Sequence, residues 1–588
     1  MKILGISGVA GALPFKRAHW PNRDEREYRI SQGHDSAAAL IIDGEIVAAV
    51  AEERINRRKH SADFPIGAIR YCVDEAGIAL DEVDELVHGF DYSPFKPLFA
   101  LDPVSAELYR DVFSREALLA LVAQHLPGFP AARVHHVGHH LAHAASAYYT
   151  SGWDECLVVV CDGMGEAHSL SVYHAHGGRL DLVDHVSAAD SLGILYSLVT
   201  LHLGFDFNSD EYKIMGLAPY GDPERYRAFF DRAIELRSGM VRIPMLKVNR
   251  TRDERELYLV TRALLEQQLI PERQPDQEVT QDHRDVAAAL QASLDRAMIA
   301  VCSHHGHALG QKRLALAEGV ALNCTANGKI LRAGMFDEIY VQPAAGDDGT
   351  ALGAALQRAA AHGEMHNRRM SVPFLGPEYG EAAIEAALAR FEDRIAVTRF
   401  GSLEATCEDA AGLIADGKVI AWYRGRMEFG PRALGHRSIL ADPGHPEMRD
   451  RINAMVKMRE AFRPFAPAVS IEQVHHWFDV PSGTELPYMI VIVEVRPEHR
   501  GNLPAITHVD GTARVQTVTA SDNAAFHTLL RAVGSRTGRE MVLNTSFNVK
   551  GQPIVNTPSD AIETFLGTGI QHLFIENLRI DRKPGVQE

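Results

Sequence analysis

One succession of segments occurs twice in the first part of this 588-residue chain and limits the folds open to it. A predicted strand at 2–7 precedes a hairpin around the Asp-Gly turn at 43–44. A second apolar strand at 157–161 precedes a hairpin around the Gly-Gly turn at 177–178. Glycine-bearing turns between apolar runs are strong hairpin signals. The repeat indicates an internal duplication that gives two similar α/β subdomains facing a cleft.

This duplication resembles the actin, Hsp70 and sugar-kinase fold, which holds a nucleotide-like ligand between two lobes. The pattern between about 254 and 310 is helical. A polar, proline-bearing segment at 362–380 is typical of a connection between domains. We therefore expect an N-terminal domain over 1–372 and a C-terminal domain over 373–588.

Composition narrows the class of protein. Hydrophobic residues make up 46% and charged residues 23% of the chain, as in ordinary globular proteins. The net charge of −17 argues against a nonspecific nucleic-acid binder, and no apolar run approaches the ~20 residues of a membrane span. The six cysteines are scattered and form no closely spaced pairs of the kind that bind metals, as expected of a protein in a reducing compartment. These features predict a cytoplasmic enzyme without a nucleic-acid or membrane partner.

A histidine-rich segment, 137–149, reads as the start of a helix. His139 and His143 are four residues apart, which places them on one helix face and allows both imidazoles to bind one metal ion. Asp162 follows the apolar run 157–161, where a ligand-binding carboxylate is common. The alternative is a helix with solvated histidines beside a turn.

Two later loops add candidate ligand-binding residues. The segment 316–323 puts a glycine at a strand-to-helix turn, and 345–354 puts two acids before a small-residue helix. Either Asp347 or Asp348 can cap that helix or bind a cation. A packing glycine and a plain helix cap remain the alternatives for these two loops.

The second half of the chain is rich in basic motifs. The segment 422–438 carries four arginines among glycines and a proline, and 456–467 carries Lys457, Arg459 and Arg463. Further on lie Arg514 and Asn544. Glycine permits close approach of the backbone, and arginine binds phosphate or carboxylate oxygens in pairs. In so acidic a chain these motifs predict an anion-binding site.

Together the motifs resemble the O-carbamoyltransferases that modify antibiotics, nodulation factors and related secondary metabolites, over nearly the whole chain. The resemblance implies a two-lobed, actin-like N-terminal domain, similar to the tRNA threonylcarbamoyl-transfer proteins. It implies a C-terminal domain with a twisted α/β sheet, similar to the threonylcarbamoyl-adenylate synthases. That domain would make carbamoyl adenylate from carbamoyl phosphate and ATP, releasing pyrophosphate. The N-terminal domain would then pass the carbamoyl group to a hydroxyl of a small-molecule natural product, releasing AMP.

The same resemblance assigns residues to each role. Iron is the implied metal, with the ligands His139, His143, Asp162 and Asp348. The implied catalytic residues at the acceptor side are His34 and Asp35. In the N-terminal domain the implied nucleotide-binding residues are Lys213, Glu318, Gly319 and Asn323. For ATP with Mg²⁺ and carbamoyl phosphate, the C-terminal domain would use Arg424, Arg432, His436, Arg437, Lys457, Arg463, Arg514 and Asn544.

One insert departs from the family pattern, and rival functions remain. Residues 11–28, with Phe15, Trp20 and Tyr28, stand between the first strand and His34, which predicts an unusual acceptor or a lid. An actin-fold small-molecule kinase would explain the duplication but not the histidine pair. An Hsp70-like nucleotide-dependent binding protein is the alternative outside catalysis. The oligomeric state stays open, with a homodimer as one option.

Overall fold

The computed structural model describes residues 1–365, 367–457, 460 and 462–584, and its contacts divide the chain into two units. Unit 1 comprises Met1–Glu53 and His60–Met370, and unit 2 comprises Arg54–Lys59 and Ser371–Glu588. The division after residue 370 lies two residues before the boundary expected from the sequence. The assignment of Arg54–Lys59 to unit 2 is not foreseen by the sequence. Arg459 lies outside the described residues.

Unit 1 contains two five-stranded sheets and a two-stranded ribbon. Its strands are β1 Lys2–Ile6, β2 Ala37–Ile42, β3 Glu45–Ala51, β4 Glu85–His88, β5 Val134–His136, β6 Glu155–Cys161, β7 His168–His176, β8 Arg179–Ser187, β9 Glu235–Arg237, β10 Met240–Arg242, β11 Arg313–Ala317 and β12 Glu338–Val341.

The two larger sheets have the same strand order, β3-β2-β1-β4-β5 and β8-β7-β6-β11-β12. In the first sheet β1, β2 and β3 are antiparallel neighbours, and β4 and β5 run parallel to β1. In the second sheet β6, β7 and β8 are antiparallel neighbours, and β11 and β12 run parallel to β6. Both hairpins lie where the turns at 43–44 and 177–178 predict them. The duplicated, actin-like α/β fold is therefore confirmed.

Helices cover these sheets and connect them. They are α1 Ala12–His19, α2 Glu25–Tyr28, α3 Glu52–Asn56, α4 Ile66–Glu75, α5 Lys96–Phe99, α6 Pro103–Leu108, α7 Arg115–His125, α8 His139–Ser151, α9 Leu192–His202, α10 Glu211–Leu217, α11 Glu224–Ala233, α12 Arg252–Leu257, α13 Leu259–Gln268, α14 Gln281–Leu309, α15 Cys324–Arg332 and α16 Gly349–Ala361. By length and composition α14 could cross a membrane, but 72% of its most apolar window is buried inside the protein, as in a core helix.

Close packing holds α8 against α16. A Cβ atom on Gly353 of α16 would collide with the Ala142 carbonyl oxygen of α8, so only glycine permits this approach. A Cβ on Gly5 of β1 would likewise collide with the Ala351 carbonyl oxygen. Since interiors are packed to crystal-like density, these contacts fix the start of α8 relative to the start of α16.

Unit 2 is built on one large mixed sheet. Its strands are β13 Ile395–Arg399, β14 Ile420–Tyr423, β15 Arg437–Ala441, β16 Ala466–Ser470, β17 Phe478–Asp479, β18 Ile492–Val495, β19 Thr512–Arg514, β20 Gln516–Val518, β21 Met541–Ser546, β22 His572–Ile575 and β23 Leu578–Arg582. Its helices are α17 Glu381–Arg390, α18 Leu403–Ala415, α19 Met448–Ile452, α20 Val474–Trp477, α21 Ala524–Thr537 and α22 Pro558–Leu566.

Eight of these strands form the sheet β13-β23-β22-β14-β15-β21-β16-β20, and three form the sheet β17-β18-β19. Helices α18 and α21 pack together on the larger sheet, in a core that includes Trp422, Phe526 and Phe574. The parallel pair of β14 with β22 lies beside antiparallel pairs, as in an α/β domain with a mixed sheet. The strand β21, which carries Asn544, is paired on both sides, with β15 and with β16.

Candidate active site

Three buried or half-buried carboxylates lie at one edge of the second sheet of unit 1. Asp162 follows β6, Glu318 follows β11, and Asp347 lies in the loop between β12 and α16. These three strands are parallel neighbours, so their carboxyl ends meet at one edge. That edge is where open α/β sheets bind ligands.

Two histidines approach the same edge from α8. His139 begins the helix, and its Nδ1 donates to the Gly89 carbonyl oxygen at 3.3 Å, which leaves Nε2 with a lone pair. The Glu166 carboxylate fixes this start by accepting the backbone N–H groups of His139 and Asp91, each at 2.7 Å. One turn later, His143 presents its ring to the same side.

The ligand atoms of His139, His143, Glu318 and Asp347 lie within 4.8 Å of one another, and we call these residues the metal cluster. The two Nε2 atoms are 3.2 Å apart. Glu318 Oε1 is 3.5 Å from His143 Nε2, and Asp347 Oδ1 is 3.6 Å from His139 Nε2. Two imidazoles and two carboxylates form a donor set suited to a divalent transition metal.

The electrostatics of the metal cluster fit a bound cation. Burial, followed by the Asp162 charge, raises the pKa of Glu318 well above its usual range. Burial also raises the pKa of Asp347, with Glu318 adding to the shift, while the pKa of His143 is lowered by burial and by His139. These groups thus lack a compensating positive charge, and a metal ion would supply it.

The metal-ligand prediction needs one correction, at Asp348. Its Oδ1 accepts the Gly349 backbone N–H at 3.1 Å, as the N-cap of α16, and Asp347 joins the cluster instead. Asp162 lies beside the cluster, with Oδ2 3.9 Å from His139 Nε2 and 3.2 Å from His140 Nε2. Its Oδ1 is buried and finds no hydrogen-bond partner among the residues that the structure describes. Asp162 is therefore close enough to support the cluster without being one of its four members.

The predicted acceptor-side residues His34 and Asp35 lie just before β2, which begins at Ala37. The His34 side chain is buried, its Nε2 lies 3.0 Å from Ser31 Oγ, and burial lowers its pKa to about 4. Asp35 turns to another histidine, since its Oδ1 is 2.8 Å from His60 Nδ1. Sequence reasoning missed His60, which follows the basic residues at 57–59 and lies 25 positions from Asp35.

The predicted nucleotide-binding residues of unit 1 are distributed over its second half. Lys213 Nζ pairs with Asp210 at 2.7 Å and lies 5.3 Å from the centre of the Phe205 ring. Asn323 caps α15 and exchanges hydrogen bonds of 3.0 Å with Gln291. Gly319 opens the turn after Glu318, and its N–H donates to the Glu318 carboxylate. Glu318, predicted to bind nucleotide, is thus placed among the metal-cluster residues.

The insert at 11–28 folds into α1 and α2 and is anchored at several points. The buried Lys16 pairs with Glu256 at 2.9 Å, and Trp20 Nε1 donates to Asp253 at 3.0 Å. Glu27 also pairs with Arg262. These contacts fasten the insert to the helices that begin at 252 and 259.

Arg437, predicted to belong to the anion site of unit 2, makes its side-chain hydrogen bonds to nearby backbone. Its side chain is fully buried, and it donates to the carbonyl oxygens of Arg424, Gly425 and Pro377 at 2.8–3.2 Å. The guanidinium also lies 3.7 Å from the centre of the Tyr423 ring. These contacts hold the loop after β14 in place.

We expect Arg437→Met to lower the free energy of unfolding of unit 2 by about 3 kcal/mol, because it leaves several buried carbonyl oxygens unsatisfied. The control is Arg424→Met, because Arg424 donates to fewer groups, at Glu576 and Asn577. Urea denaturation followed by circular dichroism measures both. A loss below about 1 kcal/mol in Arg437→Met would show that this loop does not depend on the guanidinium.

Other predicted residues of unit 2 gather around β21. Lys457 Nζ donates to the Ser546 carbonyl oxygen at 2.5 Å and to Asn548 Oδ1 at 2.8 Å. Asn544 Nδ2 donates to Gln516 at 2.9 Å, and its buried Oδ1 has no hydrogen-bond partner in the described part of the chain. The Asn544 amide oxygen is thus left with capacity to accept one further hydrogen bond.

The remaining predicted residues lie on flanking segments of unit 2. His436 stacks on Phe374 at 3.6 Å, and its pKa is lowered to about 4 by burial. Arg463 Nη1 lies 3.7 Å from Glu460, and Arg514 ends β19. Arg432 lies half-buried in the loop before β15.

A buried carboxylate that the sequence reading missed organises that loop. Glu428 Oε1 accepts the backbone N–H groups of Leu434, His436 and Arg437 at 2.8–3.2 Å. Arg54, from the segment that joins unit 2, donates to the Gly430 carbonyl oxygen at 3.0 Å. A glutamate among four arginines gave no sequence signal of its own, because its role depends on the folded loop.

Comparison with known proteins gives two family matches. A family model described as Carbamoyltransferase N-terminus matches residues 29–96 and 104–356, and one described as Carbamoyltransferase C-terminus matches residues 411–582. The N-terminal match begins just after the insert.

Individual relatives agree with these matches. The nodulation protein NolNO of Sinorhizobium fredii is 41% identical over all of this chain and 84% of its own length. The nodulation protein NolO of Bradyrhizobium diazoefficiens is 44% identical over 76% of this chain and 79% of its own. A 3'-hydroxymethylcephem-O-carbamoyltransferase of Amycolatopsis lactamdurans is 34% identical over 46% of this chain and 49% of its own.

Proposed function

The chain belongs to the carbamoyltransferase family, and on that premise we propose that it transfers a carbamoyl group to a hydroxyl of a small molecule. The name of the Amycolatopsis relative identifies a hydroxymethyl group as that protein's acceptor. The observation that carries the proposal is the metal cluster at the carboxyl edge of β6, β11 and β12. A simple binding protein would not need convergent imidazoles and carboxylates that lack a compensating charge.

In unit 1 the metal cluster would hold iron, with Asp162 beside it. When bound, the ion supplies a Lewis acid for the carbonyl of the carbamoyl group. Gly89 and Glu166 keep the two imidazoles oriented by fixing the start of α8. The His34-Asp35 segment would border the acceptor hydroxyl, and Lys213, Gly319 and Asn323 would hold the nucleotide.

Unit 2 would prepare the donor. An alcohol near pH 7 is a weak nucleophile, and adenylation attaches the carbamoyl carbon to AMP, a leaving group that a protein can bind by its base and ribose. We therefore propose that water first releases phosphate from carbamoyl phosphate here. The resulting carbamate oxygen then bonds to the α-phosphorus of ATP with Mg²⁺, which gives carbamoyl adenylate and releases pyrophosphate. Bringing two polyanions together requires positive charge, which Lys457, Arg463, Arg432 and Arg514 would supply. Both stages would take place in the cytoplasm.

The nucleotide product tests the proposal against its rivals. With carbamoyl phosphate, ATP and an accepted alcohol, we expect the protein to release AMP and pyrophosphate together with a carbamate ester. A small-molecule kinase or an Hsp70-like protein would release ADP instead. Anion-exchange chromatography of the nucleotides, with and without carbamoyl phosphate, distinguishes these outcomes. ADP formation that is independent of carbamoyl phosphate would contradict the proposal.

A further inference from the structure

Three side chains outside the metal cluster form a hydrogen-bonded chain, which we call the relay. Asp35 Oδ1 lies 2.8 Å from His60 Nδ1, and His60 Nε2 lies 3.3 Å from Ser209 Oγ. All three residues belong to unit 1, although they come from distant parts of its sequence. The order carboxylate, imidazole, hydroxyl is the one by which proteins activate a hydroxyl group.

The hydrogen bonds define the state of the imidazole. An ionised Asp35 can only accept, so His60 Nδ1 carries the proton of the first hydrogen bond. In a neutral ring Nε2 then has a lone pair, which accepts the Ser209 hydroxyl proton. The Glu53 carboxylate also accepts the His60 backbone N–H at 2.9 Å, so both the main chain and the ring are held. The relay thus presents a basic nitrogen to a hydroxyl.

Residues in the relay, or next to it in sequence, have left-handed backbone conformations. Asp35 and His60 have φ values of 59° and 55°, and Asn208, next to Ser209, has a φ of 53°. Such left-handed conformations cost free energy in residues other than glycine and concentrate at functional sites. Three of them around one hydrogen-bonded chain point to a role beyond packing.

The relay is accessible, unlike the neighbouring histidine. The His60 and Asp35 side chains are 21% and 34% exposed, whereas His34 is 8% exposed and already lies against Ser31. After burial and the Glu318 charge, the Asp35 charge also raises the pKa of Asp347, so Asp35 lies within electrostatic range of the metal cluster. The His60 ring is therefore more open to a bound substrate than the buried His34 ring.

We propose that His60 is the catalytic base that receives the proton of the acceptor hydroxyl, with Asp35 as its positioning residue. This inference rests on the proposed function. The hydroxyl proton moves to His60 Nε2, the hydroxyl oxygen bonds to the carbamoyl carbon, and the bond from that carbon to the adenylate oxygen breaks. AMP leaves with the bonding electron pair, and His60 later returns its proton to solvent. Ser209 Oγ marks the place from which the acceptor hydroxyl donates.

The test compares two small nucleophiles with chemically supplied carbamoyl adenylate. Methanol must lose a proton to form methyl carbamate, whereas the amine of hydroxylamine attacks without prior proton loss and gives hydroxyurea. His60→Gln should slow methyl carbamate formation by about 10²–10⁴-fold and change enzyme-dependent hydroxyurea formation by less than about tenfold. Asp35→Asn should show the same selectivity. The control His174→Gln, which alters a surface histidine paired with Glu155, should affect neither product.

The outcomes separate this inference from the function on which it rests. Equal losses with both nucleophiles in His60→Gln would overturn the catalytic assignment, because a structural defect does not distinguish them. A wild-type protein that forms hydroxyurea but no methyl carbamate would also overturn it. A wild-type protein that accelerates neither reaction would refute carbamoyl transfer itself.

Discussion

Replacing Asp347 by alanine is expected to lower metal affinity by more than about 100-fold, because even residues that only orient ligands contribute 10–100-fold. The adjacent Asp348→Ala is the matched control. Asp348 caps α16, so its loss should cost about 0.5–2 kcal/mol of stability and leave the bound metal in place. Elemental analysis after dialysis against limiting iron measures the metal content of both variants.

Activity should follow the metal content. With carbamoyl adenylate supplied, Asp347→Ala should lose several kcal/mol of transition-state stabilisation, and Asp348→Ala should stay near the wild-type rate. The His139→Ala/His143→Ala double variant should behave like Asp347→Ala. Retained iron in Asp347→Ala together with loss in Asp348→Ala would restore the ligand set expected from the sequence.

Lys457→Met is expected to reduce pyrophosphate release that depends on carbamoyl phosphate by about 10²–10³-fold, because the ammonium group compensates developing negative charge. Carbamoyl transfer from supplied carbamoyl adenylate should remain at the wild-type rate, since that step belongs to unit 1. The control is Lys550→Met, an exposed lysine that follows Asn548 closely in sequence. Pyrophosphate is measured by ion chromatography, which separates it from the phosphate released by carbamoyl phosphate.

A second variant guards against a local folding defect. Lys457 donates to Ser546 and Asn548, so its removal could disturb the end of β21. Arg463→Ala does not remove these hydrogen bonds and should cause the same separation of half-reactions. If both variants remain inactive with supplied carbamoyl adenylate, the division of labour between the two units is refuted.

The duplication could be predicted because its signals are local. Turn chemistry at 43–44 and 177–178 fixes each hairpin within a few residues, and the observed strands end beside those turns. The pairing of β1 with β4 and of β6 with β11 is parallel and joins distant segments. No local pattern determines that order, so the site built on strand ends could only be predicted in part.

Only some members of the metal cluster could be predicted from the sequence. The four-residue spacing of His139 and His143 is a property of one helix and was readable from the sequence. Glu318 becomes a neighbour of those histidines only because β11 lies between β6 and β12. The distinction between Asp347 and Asp348 depends on which side chain caps α16.

Arginine in a glycine-rich segment is ambiguous for a related reason. The residues at 422–438 carry the charge of an anion site, yet Arg437 uses its guanidinium on backbone carbonyl oxygens. An arginine that binds an anion and one that binds backbone are distinguished by burial. The burial of Arg437 follows from the packing of β14 and β15 rather than from composition. The transfer of Arg54–Lys59 to unit 2 is hidden from the sequence in the same way.

The two equivalent sheets of unit 1 differ in the residues that follow their matching strands. The strands β6 and β11 are followed by the acids Asp162 and Glu318, whereas their counterparts β1 and β4 are followed by the uncharged Ser7 and Gly89. Gly89 contributes only its carbonyl oxygen, which orients His139. One copy of the repeat therefore provides the carboxylates of the site, and the other provides a backbone carbonyl oxygen that orients a histidine. Such specialisation explains why the metal cluster lies at the strand ends of one copy, while no carboxylate directly follows β1 or β4 in the other.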